Sequence, residues 1–142
     1  MAFTRILVGY DGSFEAQAAL RLALEMAAED SRVQVTAVAA AHVLRAPATI
    51  GEVQEELAAQ EQQALDYLAA ASAYARDCGQ HIQTEIVVGK TAAALVRAAA
   101  EHQADLLIIG ASSRSALWAR LTGDAMTAVA RTAPCPVLIA HQ

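Results

Sequence analysis

The sequence predicts an α/β domain of the doubly wound, three-layer kind, in which a five-stranded parallel sheet lies between two layers of helices. Short apolar runs alternate with longer stretches of helical period along the 142 residues, which is the pattern of successive β-α-β units. About a quarter of the residues are alanine, the strongest helix former. Because a chain of this length buries roughly 70% of its unfolded surface, we expect residues 1–142 to form a single domain.

The first half of the chain is predicted to supply two strands and two helices. A strand over residues 5–8 ends in a turn that offers Ser13 as the N-cap of the first helix. A run of β-branched residues predicts the second strand over residues 33–39. Apolar residues at helical spacing then predict a long helix over residues 52–78, which Gly79 terminates.

The second half is predicted to supply three strands. The half-polar pattern of residues 81–88 indicates a strand near a sheet edge. Thr91 is expected to cap a helix that runs to residue 102, and the strand over residues 105–109 is the most apolar, which predicts a central position in the sheet. A short helix then leads into Pro-Cys-Pro, which breaks it, and residues 137–140 form the last strand.

Charge and hydropathy exclude several classes of partner. The formal net charge is -5, so the summed electrostatic field repels nucleic-acid backbones and anionic headgroups. No apolar run approaches the roughly 20 residues that a membrane span needs. We therefore expect no nucleic-acid partner, no membrane insertion and a cytoplasmic location.

The reactive residue types form no recognisable catalytic or metal-binding pattern. Cys78 and Cys135 fall in different predicted elements and fit no CxxC spacing, so we interpret both as thiols. The four histidines show no local metal-ligand spacing, and the serines lack the Gly-x-Ser-x-Gly elbow of a nucleophile. The sequence therefore predicts neither a metal site nor an enzyme that uses nucleophilic catalysis.

One phosphate-binding motif is suggested and then rejected. Gly89-Lys90-Thr91 opens a predicted helix as the end of a P-loop does, and Lys90 is the only lysine in the chain. However, Thr84 stands where the P-loop requires its first glycine, and the intervening residues have the pattern of a strand. We interpret this segment as an ordinary strand-to-helix turn.

A second candidate for a ligand site follows the fourth predicted strand. In doubly wound sheets, ligands bind beyond the carboxyl ends of the strands, at the point where the strand order switches. Gly110 ends this strand, and Ser112, Ser113 and Arg114 follow it. Gly123-Asp124 then precedes a helix, whose N-terminus favours an anion.

Three segments resemble the universal stress protein family, and the similarity extends through essentially the whole chain. They are Asp11-Gly12-Ser13, Ala104-Asp105-Leu106-Leu107-Ile108-Ile109-Gly110 and Ala133-Pro134-Cys135-Pro136-Val137-Leu138. The resemblance implies the adenine nucleotide alpha hydrolase-like fold with sheet order 3-2-1-4-5. It also implies a homodimer through the last strand, with Val137, Leu138 and Ile139 at the contact.

The same resemblance implies a nucleotide site with two altered positions. Many members of the family bind ATP through Gly-x2-Gly-x9-Gly-Ser/Thr, and Gly110 and Gly123 match the first and third glycines of that motif. Ser113 replaces the second glycine, and Asp124 replaces the hydroxyl residue. Asp11 and the backbone near Val38 match the positions that receive adenine and its ribose. The alternative interpretation is that Asp11 only stabilises its turn and that Val38 only belongs to the core.

Asp124 is the more serious departure, because its carboxylate would lie at the helix N-terminus that receives phosphates in the ATP-binding members. Two unit charges 4 Å apart repel by about 4 kcal/mol at an effective dielectric constant of 20, which lowers affinity several hundredfold or more. Arg114 can neutralise part of this repulsion. ATP and other adenine nucleotides are therefore disfavoured as tightly bound cofactors. A small molecule without a polyphosphate is the alternative ligand.

Three functions remain open from the sequence. The leading one is a stress-responsive binding or regulatory protein that does not bind ATP tightly. The second is an ATP or AMP sensor of the same family, in which Arg114 and Lys90 compensate for the altered motif. The third is a slow Mg-dependent nucleotide hydrolase or phosphotransferase, in which Asp11 and Asp124 would hold the metal.

Overall fold

The protein forms a five-stranded parallel sheet with helices on both faces. A computed structural model describes residues 3–42, 49–110 and 129–141. Residues 129–132 are helical. The other elements follow in the order β1 (Arg5–Gly9), α1 (Phe14–Glu29), β2 (Gln34–Ala41), α2 (Ile50–Asp77), β3 (Gln83–Val88), α3 (Thr91–Glu101), β4 (Leu106–Gly110) and β5 (Val137–Ala140).

The strands are arranged in the order β3-β2-β1-β4-β5, and every neighbouring pair is parallel. This confirms the doubly wound class and the predicted strand order. The edge position of β3 is also confirmed. The prediction that β4 is the central strand is wrong, because β1 is central. All five residues of β4 are buried, so its apolar sequence reflects helices that cover both of its faces and not its place in the sheet.

Successive residues of β1 point into two separate cores, as the alternation of a strand requires. Ile6 and Val8 pack with α1 and α2 on one face, whereas Leu7 packs with α3 and Val129 on the other. Each helix layer is therefore fixed to the same central strand. Along the described residues, no helix is long and apolar enough to cross a membrane.

The caps explain where the helices begin and end. Ser13 caps α1 as predicted, since its hydroxyl accepts the Ala16 N–H at 3.1 Å. Thr49 caps α2 through the Glu52 N–H at 3.1 Å, and α2 therefore begins two residues before the predicted start. Gly79, with φ of 75°, follows the end of α2 and confirms the predicted stop.

The predicted cap of α3 is wrong. Lys90 is the N-cap residue and makes no side-chain capping bond, while Thr91 is the first helical residue. Threonine at the start of a helical stretch is typical of an N-cap, but the backbone enters the helix one residue earlier than the sequence predicts. The predicted strand bounds differ from the observed ones by two residues or fewer.

Candidate functional site

A cleft opens at the carboxyl ends of β1 and β2, between α2 and α3. It contains about 530 Å³ of space between atoms, a volume that includes open solvent. Its location is the one at which doubly wound sheets bind ligands. The residues that line it are Tyr10, Asp11, Val38, Ala39, Ala40, His42, Gln60, Gln63, Tyr67, Thr91 and Leu95.

The turn after β1 places Asp11 at the rim of this cleft. The Asp11 carboxylate accepts the Ser13 N–H at 3.1 Å, which is the local bond by which aspartate stabilises a turn. Gly12 has φ of 78°, and a Cβ atom there would lie 2.7 Å from the ring of Tyr67. Glycine is therefore required for the backbone conformation and for the close approach of Tyr67 to the turn.

Tyr10 follows β1 and continues the hydrogen bonding between β1 and β2 up to the cleft. Its N–H donates to the Val38 carbonyl at 2.8 Å, and its side chain is buried. Burial is the main cause that raises the pKa of the Tyr10 phenol, and the neighbouring Asp11 charge adds to this effect. A side-chain hydrogen bond with Gln17 acts in the opposite direction. The phenol is therefore protonated, and it presents a neutral polar group, at neutral pH.

Val38 lines the cleft, and its carbonyl accepts the N–H of Tyr10. Its side chain is completely buried in the core on the α3 side. The β1–β2 register ends at the pair Gly9 and Val38. Because backbone groups of a strand point alternately to its two neighbours, Ala40 is the next residue whose backbone faces the β1 side, and there it faces the cleft.

One wall of the cleft comes from α2. A helix of 28 residues is about 42 Å long, whereas the strands have eight residues or fewer. The N-terminal half of α2 therefore extends past the carboxyl ends of the strands. Gln60, Gln63 and Tyr67 line the cleft from this helix. The sequence does not identify these three as site residues. A side chain on a long amphipathic helix has the same sequence pattern whether it faces a cleft or solvent.

The opposite wall begins at the first turn of α3. Thr91 and Leu95 line the cleft, and both are buried, at 5% and 1% exposure. Lys90 is exposed, and it is not among the described residues that line the cleft. The sequence predicts that it compensates for the altered nucleotide motif. Thr91 was predicted only as a cap. Because the sequence places Thr91 before the helix, it does not indicate that this residue lines the cleft.

Gly110 has a structural role that the motif alone does not reveal. It is buried at the end of β4, and a Cβ atom there would lie 2.3 Å from the carbonyl carbon of Glu15. Real Cβ atoms are essentially never closer than 3.0 Å to such an atom. The absence of a side chain at Gly110 thus lets the first turn of α1 pack directly on β4.

Five predicted site residues lie in the segment 111–128, outside the described residues. They are Ser112, Ser113, Arg114, Gly123 and Asp124. Of the remaining predictions, Asp11 and Val38 are brought together in one cleft, and Gly110 ends the strand that leads into this segment. Within the described ranges, no group of three or more His, Cys, Asp or Glu side chains could hold a metal ion.

Both cysteines are free thiols in the described structure. Cys78 is exposed at the end of α2, and Cys135 is partly buried before β5. Burial is the first cause that raises the pKa of the Cys135 thiol, and the Asp105 charge is the second. Because the thiolate is the reactive form, this environment supports the interpretation of Cys135 as a structural residue.

The family model of the universal stress proteins matches residues 2–141. A universal stress protein of Mycobacterium tuberculosis is 29% identical over 142 residues, which cover 99% of this chain and 97% of that protein. A universal stress protein of Methanocaldococcus jannaschii is 29% identical over 141 residues, with 96% and 81% of the two chains covered.

Solved structures give the same result. UspA from Lactobacillus plantarum superposes with a TM-score of 0.81 at 26% identity and covers 99% of both chains. A universal stress protein in complex with cAMP has a TM-score of 0.67 at 28% identity, and again 99% of both chains is covered. A family member from Burkholderia pseudomallei has a TM-score of 0.72 at 28% identity, with 96% of this chain and 95% of the other covered. Sequence and fold together therefore place the chain in the universal stress protein family.

Proposed function

We propose that the protein acts by binding an adenine nucleotide with a single phosphate in the cleft, as a stress-responsive regulator or adaptor of the cytoplasm. The observation that carries this proposal is the cleft at the carboxyl ends of β1 and β2, with Asp11 at its rim and apolar residues inside. The universal stress protein in complex with cAMP, which is 28% identical to this chain, supports the choice of ligand class.

The cleft offers the two kinds of surface that a nucleoside needs. Val38 and Leu95 are buried apolar side chains on its inner wall, and such surfaces suit a flat heterocycle. Asp11 lies on the β1 side. A carboxylate has about four acceptor sites, so Asp11 can stabilise its own turn and accept a ribose hydroxyl at the same time. The Ala40 backbone supplies a second hydrogen-bonding position.

We further propose that ATP binds more weakly than a monophosphate. The family motif that receives polyphosphate continues from Gly110 to Gly123, and this chain has Asp124 where a hydroxyl residue belongs. A second and third phosphate group would bring additional negative charge towards that carboxylate. The Coulomb repulsion acts on the polyphosphate and leaves the base and ribose contacts unchanged.

Isothermal titration of the purified protein with AMP, cAMP and Mg-ATP tests the proposal. We expect AMP or cAMP to bind with a micromolar dissociation constant and ATP to bind at least tenfold more weakly. Asp11→Asn, which keeps an oxygen for the Ser13 N–H, should weaken AMP binding about tenfold to a hundredfold, because a hydrogen bond to a charged group contributes about 1.5–3 kcal/mol. Asp66→Asn removes the same charge from an exposed position of α2 and should bind as the unaltered protein does.

Two results would contradict the proposal. If neither AMP nor cAMP binds at millimolar concentration, the cleft is not a nucleotide site. If ATP binds as tightly as AMP, Asp124 does not act on the polyphosphate.

The alternative function is that of a Mg-dependent nucleotide hydrolase. We propose instead that the protein binds the nucleotide without hydrolysing it. The two metal-holding carboxylates of the hydrolase would be Asp11 and Asp124. Release of phosphate from Mg-ATP should therefore be the same for the unaltered protein and for Asp124→Ala. Magnesium-dependent release above the level of that variant would favour the hydrolase.

We also propose that the protein is a homodimer through β5. This strand is an edge of the sheet, and Val137, Leu138 and Ile139 are partly exposed. An exposed apolar edge strand favours pairing with a second chain. The family resemblance supports a symmetric pair of these strands.

A further inference from the structure

Thr91 places a buried hydroxyl in the cleft. Thr91 is 5% exposed, and its side chain makes no hydrogen bond to the described part of the chain. Among the described residues, no side-chain oxygen or nitrogen that is sealed from solvent lacks a partner. The Thr91 oxygen must therefore keep an opening to solvent, and the cavity that Thr91 lines is the cleft. This hydroxyl is available to a ligand.

Apolar side chains line the cleft together with Thr91. Leu95 lies one helical turn after Thr91 in α3, and both Leu95 and Val38 line the cleft, at 1% and 0% exposure. Because the Thr91 oxygen opens to the cleft, its hydrogen-bonding partner there is water or a ligand. Apolar walls with a few placed polar groups are usual in small-molecule sites.

The sheet order places Thr91 far from the end of β4, where the glycine motif begins at Gly110. The glycine motif follows β4, whereas Thr91 follows β3, and three strand spacings separate these strands in the order β3-β2-β1-β4. At about 4.8 Å per strand, the separation is about 14 Å. Asp11, at the end of the central strand β1, lies between the two positions. A nucleotide with its ribose at Asp11 would therefore direct its base to the Thr91 side.

We propose that the Thr91 hydroxyl forms a hydrogen bond with the base of the bound nucleotide and so helps to determine which base the cleft accepts. This inference rests on the proposed function, because it assumes that the cleft binds an adenine nucleotide. It goes further by assigning a specificity role to a residue outside the glycine motif. Thr91 acts through its oxygen, and its methyl group contributes only to the apolar wall.

The test compares Thr91→Val with Thr36→Val in titrations with AMP and with ribose 5-phosphate. Thr36 is a matched control because it is 7% exposed and its side chain has no hydrogen bond to the described part of the chain, yet it lines a groove at the opposite end of the sheet. We expect Thr91→Val to weaken AMP binding about threefold to tenfold, the value of one hydrogen bond. Ribose 5-phosphate, which has no base, should bind the variant and the unaltered protein equally.

Two further readouts separate a contact with the base from a structural effect. Thr91→Ser retains the hydroxyl and should bind AMP more tightly than Thr91→Val does. The melting temperature of Thr91→Val without ligand should be close to that of the unaltered protein, because the substitution breaks no side-chain hydrogen bond to the described part of the chain. A lower affinity for AMP together with undiminished stability supports the contact.

Several results would overturn the inference. AMP affinity that is unchanged in Thr91→Val overturns it while the proposed function stands. An equal loss in Thr36→Val, or an equal loss for ribose 5-phosphate, shows that the substitution acts through the fold and also overturns it. If the unaltered protein does not bind AMP, the proposed function fails first and this inference fails with it.

Discussion

This chain differs from the ATP-binding motif of its family at Ser113 and at Asp124, and of the two only Asp124 adds a negative charge. We expect Asp124→Asn to raise the affinity for Mg-ATP about tenfold or more, because the substitution removes a repulsion of several kcal/mol between the carboxylate and the polyphosphate. The ratio of AMP to ATP affinity, measured by titration calorimetry, should fall accordingly. Asp66→Asn on α2 serves as the charge-matched control. A ratio that does not change in Asp124→Asn would show that another feature of the chain disfavours ATP.

The residues of the cleft also show how far the sequence could be interpreted. The family resemblance implied Asp11 and the backbone near Val38 as ligand contacts, and both residues line the cleft. Tyr67 and Gln60 belong to a helix that is distant from Asp11 in the sequence. No motif around either residue indicates that it lines a ligand site. The contribution of Thr91 depends on its burial and its missing partner, which are properties of the folded chain and not of the residue type.

At the scale of elements, the packing of α1 on β4 depends on Gly110. Gly110→Ala should lower the free energy of unfolding by about 1–3 kcal/mol, because the new methyl group would displace the first turn of α1. Gly51→Ala is the matched control, since Gly51 lies in α2, where only the Thr49 hydroxyl comes near an added Cβ atom, at 3.8 Å. That substitution should stabilise the protein by about 0.5–1 kcal/mol. Chemical denaturation measures both, and equal effects of the two substitutions would contradict the packing argument.

The order and type of the elements could be predicted because hydrophobic periodicity specifies them. Two details could not be predicted. The apolar pattern of β4 predicted a central strand, but any strand that is covered by helices on both faces has this pattern. Thr91 was assigned as a cap because residue type alone does not show where the backbone enters α3. The first error concerns the tertiary placement of a strand, and the second concerns the exact residue at which a helix begins.

At the scale of the whole molecule, the dimer depends on the outer edge of β5. The Pro136 carbonyl accepts the Leu107 N–H at 3.0 Å, and alternation along the strand then directs the Ile139 N–H away from β4. Ile139→Pro removes this outward donor, whereas Leu138→Pro interrupts the β4–β5 ladder itself. We expect a dimer for the unaltered protein and a folded monomer for Ile139→Pro in light scattering. Leu138→Pro should show a lower melting temperature than Ile139→Pro, since it alone breaks a bond within the sheet.

A stable monomer of the unaltered protein at micromolar concentration would contradict the proposed dimer. A dimer that persists in Ile139→Pro would place the contact on another surface. Circular dichroism of each variant confirms that the chain is folded before its mass is interpreted.

The central claim is that the cleft between α2 and α3 is the nucleotide site, and amide chemical shifts of the ¹⁵N-labelled protein test it most directly. Addition of AMP should shift the backbone amides that border the cleft, above all those of Asp11, Ala40 and Thr91. The amides of Gln83 and His102, which border the groove at the opposite end of the sheet, should not move. Shifts confined to that groove, or no shifts at millimolar AMP, would contradict the account.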